Sequence, residues 1–452
     1  MTAHRILSRR GLLRATGSLA GAAALGRLGI MNAVAQTAPD YRALVCIFMT
    51  GGNDSHNMLI PQETAAFNAY RTLRKGLALP DNNTKLLQIA AKDGTPYALN
   101  EGLRALAPLW TQGKLATVAN VGMLVQPTTR AEYLARSIPL PTNLFAHADQ
   151  VLQMQQANPN GTSGTGWAGR VADALQPMNG TGNFPPSFSM NGAALFCTGN
   201  VIQSASLYPG FNLGLNGMTA WPDSAATARQ TALQEILALD SGLAMVQASN
   251  RVRSDARSLN QMLAGAGSGR QLTTAFPGTQ LGQQVRQVAQ IMNLRAATGL
   301  TRQVFFCSIG GFDTHSSQSW QQWDLLGQVG DAMAALYNAT VEMGIDQGVV
   351  QFTESDFGRT LDPNGSGSDH GWGSHHLVLG GAVKGGDLYG KFPFPALGGP
   401  DDANSRGVLI PTTSLDQYAG TMAKWLGVQP TAMTQVFPNL ANFPTSDLGF
   451  LG

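Results

Sequence analysis

The strongest constraint on the fold comes from five short, continuous apolar runs, each followed by a polar or glycine-rich turn: Ala43–Met49, Leu115–Val121, Val304–Ile309, Val349–Thr353 and His376–Leu379. Such runs are typical of strands that are covered on both faces. Four segments with helical spacing lie between or after them: Thr227–Leu263, Gly282–Leu300, Trp320–Met343 and Leu415–Leu426. The alternation predicts an α/β fold with a mostly parallel central sheet flanked by helices.

Residues 1–36 have the features of a twin-arginine signal peptide. Arg9 and Arg10 precede a weakly apolar stretch from Leu19 to Ile30, and the small residues 33–35 (Ala-Val-Ala) form a cleavage pattern. An N-terminal membrane anchor is the alternative, but the run is too short to span a bilayer. No other stretch of about 18 apolar residues occurs. We therefore expect a periplasmic or secreted protein without a stable membrane span, with the twin-arginine translocase as its partner during export.

The remaining residues, 37–452, are predicted to form a single domain with a loop-rich insertion near residues 158–224. Charged residues make up only 12% of the chain and glycine occurs 53 times, which indicates many tight turns over one body. The net charge of +2 gives no reason to expect nucleic acid as a partner. Cys46, Cys197 and Cys307 are an odd number, so at least one thiol is free. Cys46 and Cys307 lie in apolar runs and are predicted to be small buried side chains, not disulfides or nucleophiles.

Histidines gather near the predicted strand ends. Of the seven in the chain, His4 belongs to the signal peptide, and the other six lie in polar clusters with Asp or Ser: His56, His147, His315, His370, His375 and His376. Loops with acidic residues follow three of the predicted strands, at residues 51–57, 310–315 and 354–359, and a fourth loop spans residues 368–376. Ligands of parallel sheets collect at the carboxyl ends of the strands. We therefore expect these loops to converge on one site.

Asp and His side chains without paired cysteines are the ligands that Zn²⁺, Mn²⁺, Ca²⁺, Mg²⁺ or Fe²⁺ bind in proteins. Asp313 and His315 are two residues apart and point to the same side of an extended segment. Arg359 has the planar donor geometry that suits a phosphate or sulfate oxygen. We predict a site for one or two divalent ions with ligands drawn from these loops: Asp54, Asp313, His315, Asp356, Asp369, His370 and His376.

Each acidic cluster also has a simpler structural interpretation. Asp54 follows Asn53 and could close an Asx turn, and Asp369 could belong to a surface turn. Asp356 could cap the start of a helix. Under that interpretation four separate turns would have gathered acidic and imidazole side chains by chance, so the clusters together favour a shared site.

Two histidine assignments have alternatives of the same kind. His375 and His376 alternate in direction on a predicted strand, so at most one of them faces a common site, and we prefer His376. His147 fits either a buried, hydrogen-bonded histidine or a residue that holds an anionic group.

Motifs for other chemistries are missing from the sequence. It contains no nucleophile elbow, no phosphate-binding loop of the Gly-x-x-x-x-Gly-Lys-Ser/Thr type and no dinucleotide-binding Gly-x-Gly-x-x-Gly after a strand. His-Glu-x-x-His and Cys-x-x-Cys do not occur either. A nucleotide-binding protein of these types and an oxidoreductase are therefore disfavoured.

Five segments resemble domain-of-unknown-function family 1501. They are GGNDSHNMLIP at 51–61, LFAHADQ at 144–150, GGFDTH at 310–315, SDFGRT at 355–360 and SDHGWGSHHLVLGGAVKGG at 368–386. The resemblance covers essentially the whole mature chain. Members of this family are typically bacterial proteins exported by the twin-arginine route, in agreement with the predicted signal peptide.

Through this family the chain is similar to the alkaline phosphatase and sulfatase superfamily, whose members hold two divalent metals at the C-terminal edge of a parallel sheet. The resemblance implies an alkaline-phosphatase-like fold. It also implies ligand roles for the residues that match the superfamily's pattern: Asp54, Asp313, His315, Asp356, and His370 or His376.

The resemblance leaves the nucleophile open. Hydrolases of the superfamily attack with a Ser, Thr or modified Cys after the second strand, and the segment after Val121 has no obvious equivalent. The candidates are Ser55, Thr128 and Thr129.

Two functional hypotheses follow. The first is a metal-dependent hydrolase that acts on a small anionic or glycan-linked phosphate or sulfate ester, with Ser55, His147 and Arg359 as catalytic residues. The second is a non-catalytic binding or assembly protein of the cell envelope on the same fold. The acidic and imidazole clusters favour the hydrolase, and the missing nucleophile favours the binding protein.

Overall fold

Strand β1 (Arg42–Met49) lies in the interior with side chains packed on both of its faces. Val45 and Ile47 belong to one hydrophobic core, whereas Leu44 and Phe48 belong to another. Because successive side chains of a strand point in opposite directions, this alternation places β1 between two layers of apolar side chains. The computed structural model that gives this arrangement describes residues 40–82, 84–180, 184–209, 217–239, 242–266 and 271–452. The predicted signal peptide, residues 1–36, lies outside these ranges.

In the described part of the chain, nine strands form the central sheet, in the order β11-β5-β10-β9-β1-β8-β6-β7, with β12 paired to β5. Besides β1, the strands are β5 (Leu115–Gly122), β6 (Ser187–Ser189), β7 (Ala205–Ser206), β8 (Arg302–Ile309), β9 (Val349–Ser355), β10 (Ser374–Gly380), β11 (Asp387–Tyr389) and β12 (Thr413–Ser414). A second, three-stranded sheet has the order β2-β4-β3 and contains β2 (Leu59–Pro61), β3 (Leu86–Ala90) and β4 (Pro96–Asn100).

Most neighbours in the central sheet run parallel, which confirms the predicted mostly parallel sheet flanked by helices. Strand β10 is the exception, because it is antiparallel to both β9 and β5. The register brings three strand ends level, since Met49 pairs with Ile309 of β8 and with Ser355 of β9. The start of β10 meets the same edge, because an antiparallel strand enters where its neighbour leaves.

Helices cover both faces of this sheet. They are α1 (Thr64–Arg74), α2 (Ala107–Thr111), α3 (Arg130–Ala135), α4 (His147–Gln156), α5 (Trp167–Leu175), α6 (Asp223–Ala238), α7 (Ala244–Ala266), α8 (Gln280–Asn293), α9 (Arg295–Thr298), α10 (Gln318–Glu342), α11 (Leu415–Leu426) and α12 (Pro430–Val436). Buried side chains of α8 and α10 share the core that contains Val45. Those of α5 and α11 share the core that contains Leu44.

The five predicted strands and the helix Leu415–Leu426 are confirmed to within a few residues. The segment predicted as one helix over Thr227–Leu263 is two helices, α6 and α7, and Gly282–Leu300 is likewise α8 followed by α9. Residues 158–224 are more than loops, because they supply α5 and the strands β6 and β7. These strands are two or three residues long, and a segment so short shows no periodicity from which to predict it.

The three cysteines, Cys46, Cys197 and Cys307, are buried and free, as the apolar sequence around Cys46 and Cys307 indicates. Burial raises the pKa of the Cys197 thiol to about 12. The described residues include no helix with the length and apolar character needed to cross a membrane.

Candidate functional site

Three of the predicted loops meet at one edge of the central sheet. Residues 51–54 follow β1, residues 310–315 follow β8, and residues 356–359 follow β9. Residues 368–373 enter the same region ahead of β10. The convergence follows from the level ends of three parallel strands and the antiparallel entry of the fourth.

His147, Asp313 and His370 each direct a potential ligand atom to one point, and these atoms all lie within 4.8 Å of one another. His147 Nε2 lies 3.4 Å and His370 Nε2 lies 3.6 Å from Asp313 Oδ1. The Asp313 side chain is 48% exposed, so solvent reaches this point.

His315 adjoins these three residues on the solvent side. Its Nε2 atom lies 3.1 Å from Asp313 Oδ1 and 2.9 Å from His370 Nε2. We call His147, Asp313, His315 and His370 the His/Asp cluster.

Each imidazole of the cluster has an acceptor on its far side. His147 Nδ1 donates to Asp356 Oδ2 at 2.7 Å, and His370 Nδ1 donates to the Phe145 carbonyl at 2.7 Å. His315 Nδ1 lies 3.4 Å from Asp369 Oδ1. A proton held on Nδ1 leaves the Nε2 lone pair of His147 free, which is how acceptors behind metal-binding histidines fix the tautomer. The Nε2 atoms of His315 and His370 share one hydrogen bond at 2.9 Å.

These surroundings shift the pKa values of the cluster in different directions. The hydrogen bond that His147 donates to Asp356 raises the pKa of His147. Burial lowers the pKa of His370, and the charge of His147 acts in the same direction. Partial burial opposes ionisation of Asp313, but the Arg359 guanidinium together with His315 and His147 lowers the pKa of this carboxyl overall. At neutral pH Asp313 is therefore a carboxylate and His370 a neutral imidazole, both able to bind a cation.

The cluster fits a divalent metal ion. His147 Nε2 is buried and has no hydrogen-bond partner among the described residues, although it points at Asp313. An orphaned imidazole nitrogen is costly unless something binds it. Two imidazole nitrogens and a carboxylate oxygen at one point are the donor set of a zinc-type site with an open position.

Asp356 and Asp369 lie behind the histidines, which differs from their predicted role as ligands. Asp356 is buried and accepts hydrogen bonds from His147 and from the Gly51 backbone N–H, at 3.1 Å. Asp369 faces His315 and is held by Asn364 and Arg406. Each carboxylate accepts from protein donors and lies on the far side of an imidazole, a position from which it orients that ring.

Asp54 also differs from its predicted role. Its buried carboxylate forms an ion pair with Arg74 of α1 and accepts from the Gln318 side chain. It also accepts from the His56 backbone N–H at 3.1 Å, which is the contact of the alternative Asx-turn interpretation. A carboxylate already neutralised by a buried arginine is not available to a metal ion.

Arg359 does not present free donors to an anion. It is buried, and it donates to the carbonyls of Gly51 and Ser368 and to Asp313 Oδ1 at 3.1 Å. Every guanidinium nitrogen takes part in these bonds. The predicted role in holding a phosphate or sulfate group is therefore replaced by one in fixing Asp313 and the loops around it.

The candidate nucleophiles lie apart from the cluster. Ser55 Oγ is buried without a hydrogen-bond partner among the described residues, so no hydrogen bond joins it to the four cluster side chains there. Thr128 donates to the Gln126 carbonyl, and Thr129 caps α3 in a capping box with Glu132. None of the three is presented to the cluster as a nucleophile.

His375 and His376 are core residues of β10. His376 stacks on Tyr418 at 5.7 Å, and burial lowers its pKa to about 3. His375 stacks on Phe392 at 4.7 Å and accepts from the Asn120 N–H. The predicted ligand role of His376 is not supported, because its ring points into the layer under α11 instead of the sheet edge.

His147, predicted from the sequence to be a catalytic residue, lies at the position of a ligand in the structure. The signal was present, since His147 lies in a polar cluster with Asp149 and Gln150. The role of the Phe145 carbonyl had no sequence signal, because any residue offers the same backbone acceptor.

Several solved structures are similar to this chain. They include the C-terminal periplasmic domain of EcEptC from Escherichia coli in complex with Zn, at 8% identity over 76% of this chain and 74% of that chain with a TM-score of 0.34. The PsFucS1 sulfatase from Pseudoalteromonas sp. is similar at 9% identity over 88% of this chain and 70% of that chain with a TM-score of 0.34. A mutant of the alkaline phosphatase PafA is similar at 10% identity over 72% and 64% with a TM-score of 0.29.

No curated protein matches the sequence. Residues 41–437 match the model of a family described as "Protein of unknown function (DUF1501)". This range takes in both sheets and all four residues of the His/Asp cluster. The chain therefore belongs to the DUF1501 family, as its sequence motifs predicted.

Proposed function

We propose that this protein is an exported hydrolase of phosphate or sulfate esters that depends on one divalent metal ion at the His/Asp cluster. The proposal is supported above all by the convergence of His147 Nε2, His370 Nε2 and Asp313 Oδ1 on one solvent-accessible point. The sequence allows one or two ions. We propose one, because the described residues supply a single such group.

The residues of the cluster divide the work as follows. His147, Asp313 and His370 hold the ion, and Arg359 keeps the Asp313 carboxylate ionised and oriented. A bound divalent ion would polarise an ester oxygen and lower the pKa of water at the open position.

His315, 44% exposed and backed by Asp369, is placed to accept a proton at Nε2 and return it to the leaving group. No side-chain nucleophile is required in this scheme, which agrees with the positions of Ser55, Thr128 and Thr129.

Zinc is the metal we expect, because two imidazoles and one carboxylate with an open position match its preferred ligands. Export by the twin-arginine route is part of the proposal and rests on the sequence of residues 1–36. That route carries folded proteins, so the ion can be inserted before export. The substrate class, a small anionic or glycan-linked ester, is likewise proposed.

A non-catalytic metal-binding protein of the cell envelope is the second candidate. Two observations favour it. The donors of Arg359 are occupied by protein acceptors, and Ser55 Oγ has no hydrogen bond to the cluster among the described residues. A protein of this kind would bind the metal without turning over an ester.

Elemental analysis of the full chain purified from its export compartment is the first test. We expect about one equivalent of a divalent metal, lost in a His147→Ala/His370→Ala double variant and retained in Asp324→Ala, an exposed control on α10. Asp356→Asn, which weakens the acceptor behind His147 and the one that the Gly51 N–H also uses, should weaken metal affinity about 10–100-fold. Absence of metal above background would exclude the hydrolase and a metal-binding role, and would leave a binding or assembly protein of the cell envelope that uses no metal.

Turnover of aryl phosphates and aryl sulfates by the metal-loaded protein then separates the two candidates. His315→Ala should retain the metal and lose turnover by about 100-fold or more, because it removes the proposed proton acceptor. A metal-loaded wild-type protein that hydrolyses neither ester would refute the hydrolase and leave the binding protein.

A further inference from the structure

A second cavity opens beside the His/Asp cluster. It is a groove of about 810 Å³ between the segment from Tyr133 to Phe145 and the loop that contains Ala403 and Asn404. Phe145 belongs to both sites, because it lines the groove and its carbonyl accepts from His370 Nδ1 at 2.7 Å. The groove is therefore continuous with the wall of the cluster.

The lining of this groove combines apolar and polar side chains. Leu134 is 54% exposed, and Ile138, Leu140 and Leu144 are partly exposed. Leu140, Leu144 and Phe145 rest on a small hydrophobic core that contains Trp372, which gives the groove a packed floor. Several apolar side chains that share one concavity differ from the scattered exposed residues of an ordinary surface and mark a binding site.

The wall between the groove and the cluster is preformed. The Phe145 backbone N–H donates to Gln150 Oε1 at 2.6 Å, and Asn143 Nδ2 donates to Asp149 at 3.1 Å. Both acceptors lie on α4, the helix that begins with His147. One helix therefore positions a metal-cluster imidazole and the wall of the groove together.

We propose that the groove binds the apolar part of the substrate, an alkyl or aryl group whose anionic ester lies at the His/Asp cluster. This inference rests on the proposed function. It adds to the ester bond that is hydrolysed the kind of molecule that carries it, an anionic ester with an alkyl or aryl group. The volume of the groove is in the range of sites for small organic ligands. The groove combines apolar walls with a few polar groups, Arg136, Asn143 and Asn404. An amphiphilic anionic ester matches both ends of this combined site.

Binding of non-hydrolysable alkylphosphonates to the zinc-loaded full chain, measured by calorimetry, tests the groove without any turnover. Ethyl-, hexyl- and decylphosphonate share one head group and differ only in apolar length. We expect affinity to rise at least about tenfold from ethyl to hexyl. Full burial would give roughly fourfold per methylene, or roughly 250-fold for the four added methylenes, so a tenfold gain requires only partial burial. Affinity that does not depend on chain length would overturn the proposal.

Leu134→Asp is the informative variant, because its exposed side chain lines the groove and lies outside the packed floor. It should reduce the gain from ethyl to hexyl to about twofold or less. Ile236→Asp is the matched control, since Ile236 is 59% exposed on α6 and does not line the groove. A gain that is unchanged in Leu134→Asp would also overturn the proposal.

The same titrations separate the groove from the proposed function. Ethylphosphonate should bind the zinc-loaded chain and not the chelated chain if the cluster holds a metal that meets the head group. If the affinity for ethylphosphonate is the same with and without chelation, but affinity still rises with chain length, the metal-site proposal is wrong and the groove proposal is supported. If chelation matters and chain length does not, the groove fails and the metal site stands.

Discussion

Asp54 and Asp313 occupy the same position in two loops of the form Gly-Gly-x-Asp, but their surroundings give them different roles. Asp54 is buried against Arg74 and accepts from Gln318. Asp313 is half-exposed, and its Oδ1 atom faces three imidazoles and Arg359. The buried ion pair between Asp54 and Arg74 fixes the loop after β1, whereas the Asp313 carboxylate is accessible to a ligand from solvent. A short motif therefore predicts a residue type at a strand end without predicting which partner arrives there.

Glu354 is another buried acid, and the shift in its pKa should be visible in the pH dependence of the free energy of unfolding. It lies on β9 with no exposed surface, and neither carboxyl oxygen has a hydrogen-bond partner among the described residues. Burial raises the pKa of Glu354 well above the usual 4.5. Between the unfolded and folded pKa values the native state keeps a proton that the unfolded state has lost. Stability therefore falls as pH rises through this window, by up to about 1.4 kcal/mol per pH unit.

Glu354→Gln removes this titration and keeps the shape of the side chain. We expect urea unfolding to give similar free energies for variant and wild type near pH 4.5, and a growing advantage for the variant toward pH 8. Glu235→Gln, an exposed change on α6, should follow the wild type throughout. Identical pH profiles for Glu354→Gln and wild type would show that Glu354 is ionised in the folded protein.

At the scale of the elements, the site depends on strand ends that are brought level by register. The apolar runs predicted β1, β8, β9 and β10, and their loops placed Asp313, His315 and His370 correctly at one sheet edge. Periodicity supplies this information, because a covered strand needs apolar residues on both faces. The direction of β10 was not available from periodicity, since parallel and antiparallel strands bury the same side chains.

The pairings within the site could not be predicted from one sequence. His147 and Asp356 are 209 residues apart, and Asp54 meets Arg74 through a helix that the periodicity did not indicate. Both contacts join polar groups across separate elements, and their partners are chosen by packing geometry instead of local pattern. Local pattern also could not show that His375 and His376 both lie in the core, so the predicted ligand role of His376 has no support in the structure.

Gly51 allows the loop after β1 to lie close to the loop after β8, and replacing Gly51 tests whether the site needs this close approach. Its φ is +116°, and a Cβ built there would lie 2.3 Å from the Asp313 backbone N. Gly51→Ala should therefore destabilise the fold by about 1–3 kcal/mol and displace Asp313. Gly76→Ala, with open space around its Cβ, is the control and should change stability by less than about 0.5 kcal/mol.

Two measurements check the Gly51 prediction. Chemical unfolding gives the free energy, and the metal-to-protein ratio reports on Asp313 independently of stability. We expect both to fall in Gly51→Ala and neither to change in Gly76→Ala. A Gly51→Ala protein with wild-type stability and full metal content would show that the close approach of the two loops is not required.

At the scale of the whole molecule, one sheet edge carries the His/Asp cluster and the adjoining groove, while two hydrophobic cores hold the sheet in place. The cluster draws its side chains from segments that span residues 147–370, so it exists only when most of the chain is folded. The proposed metal site therefore forms only on folding, which is compatible with the proposed route that exports folded proteins.

The export prediction can be tested on the intact chain. Lys keeps the charge of Arg but lacks its forked donors, so Arg9→Lys/Arg10→Lys should abolish recognition by the twin-arginine route without altering residues 37–452. We expect this variant to remain in the cytoplasm at its full length, whereas the wild type appears in the periplasm or medium without residues 1–36. Arg27→Lys, outside the arginine pair, is the matched control and should be exported. Because the variant keeps the complete His/Asp cluster, it should also bind metal in the cytoplasm. Export and processing of the double variant at the wild-type level would show that the arginine pair does not direct this protein.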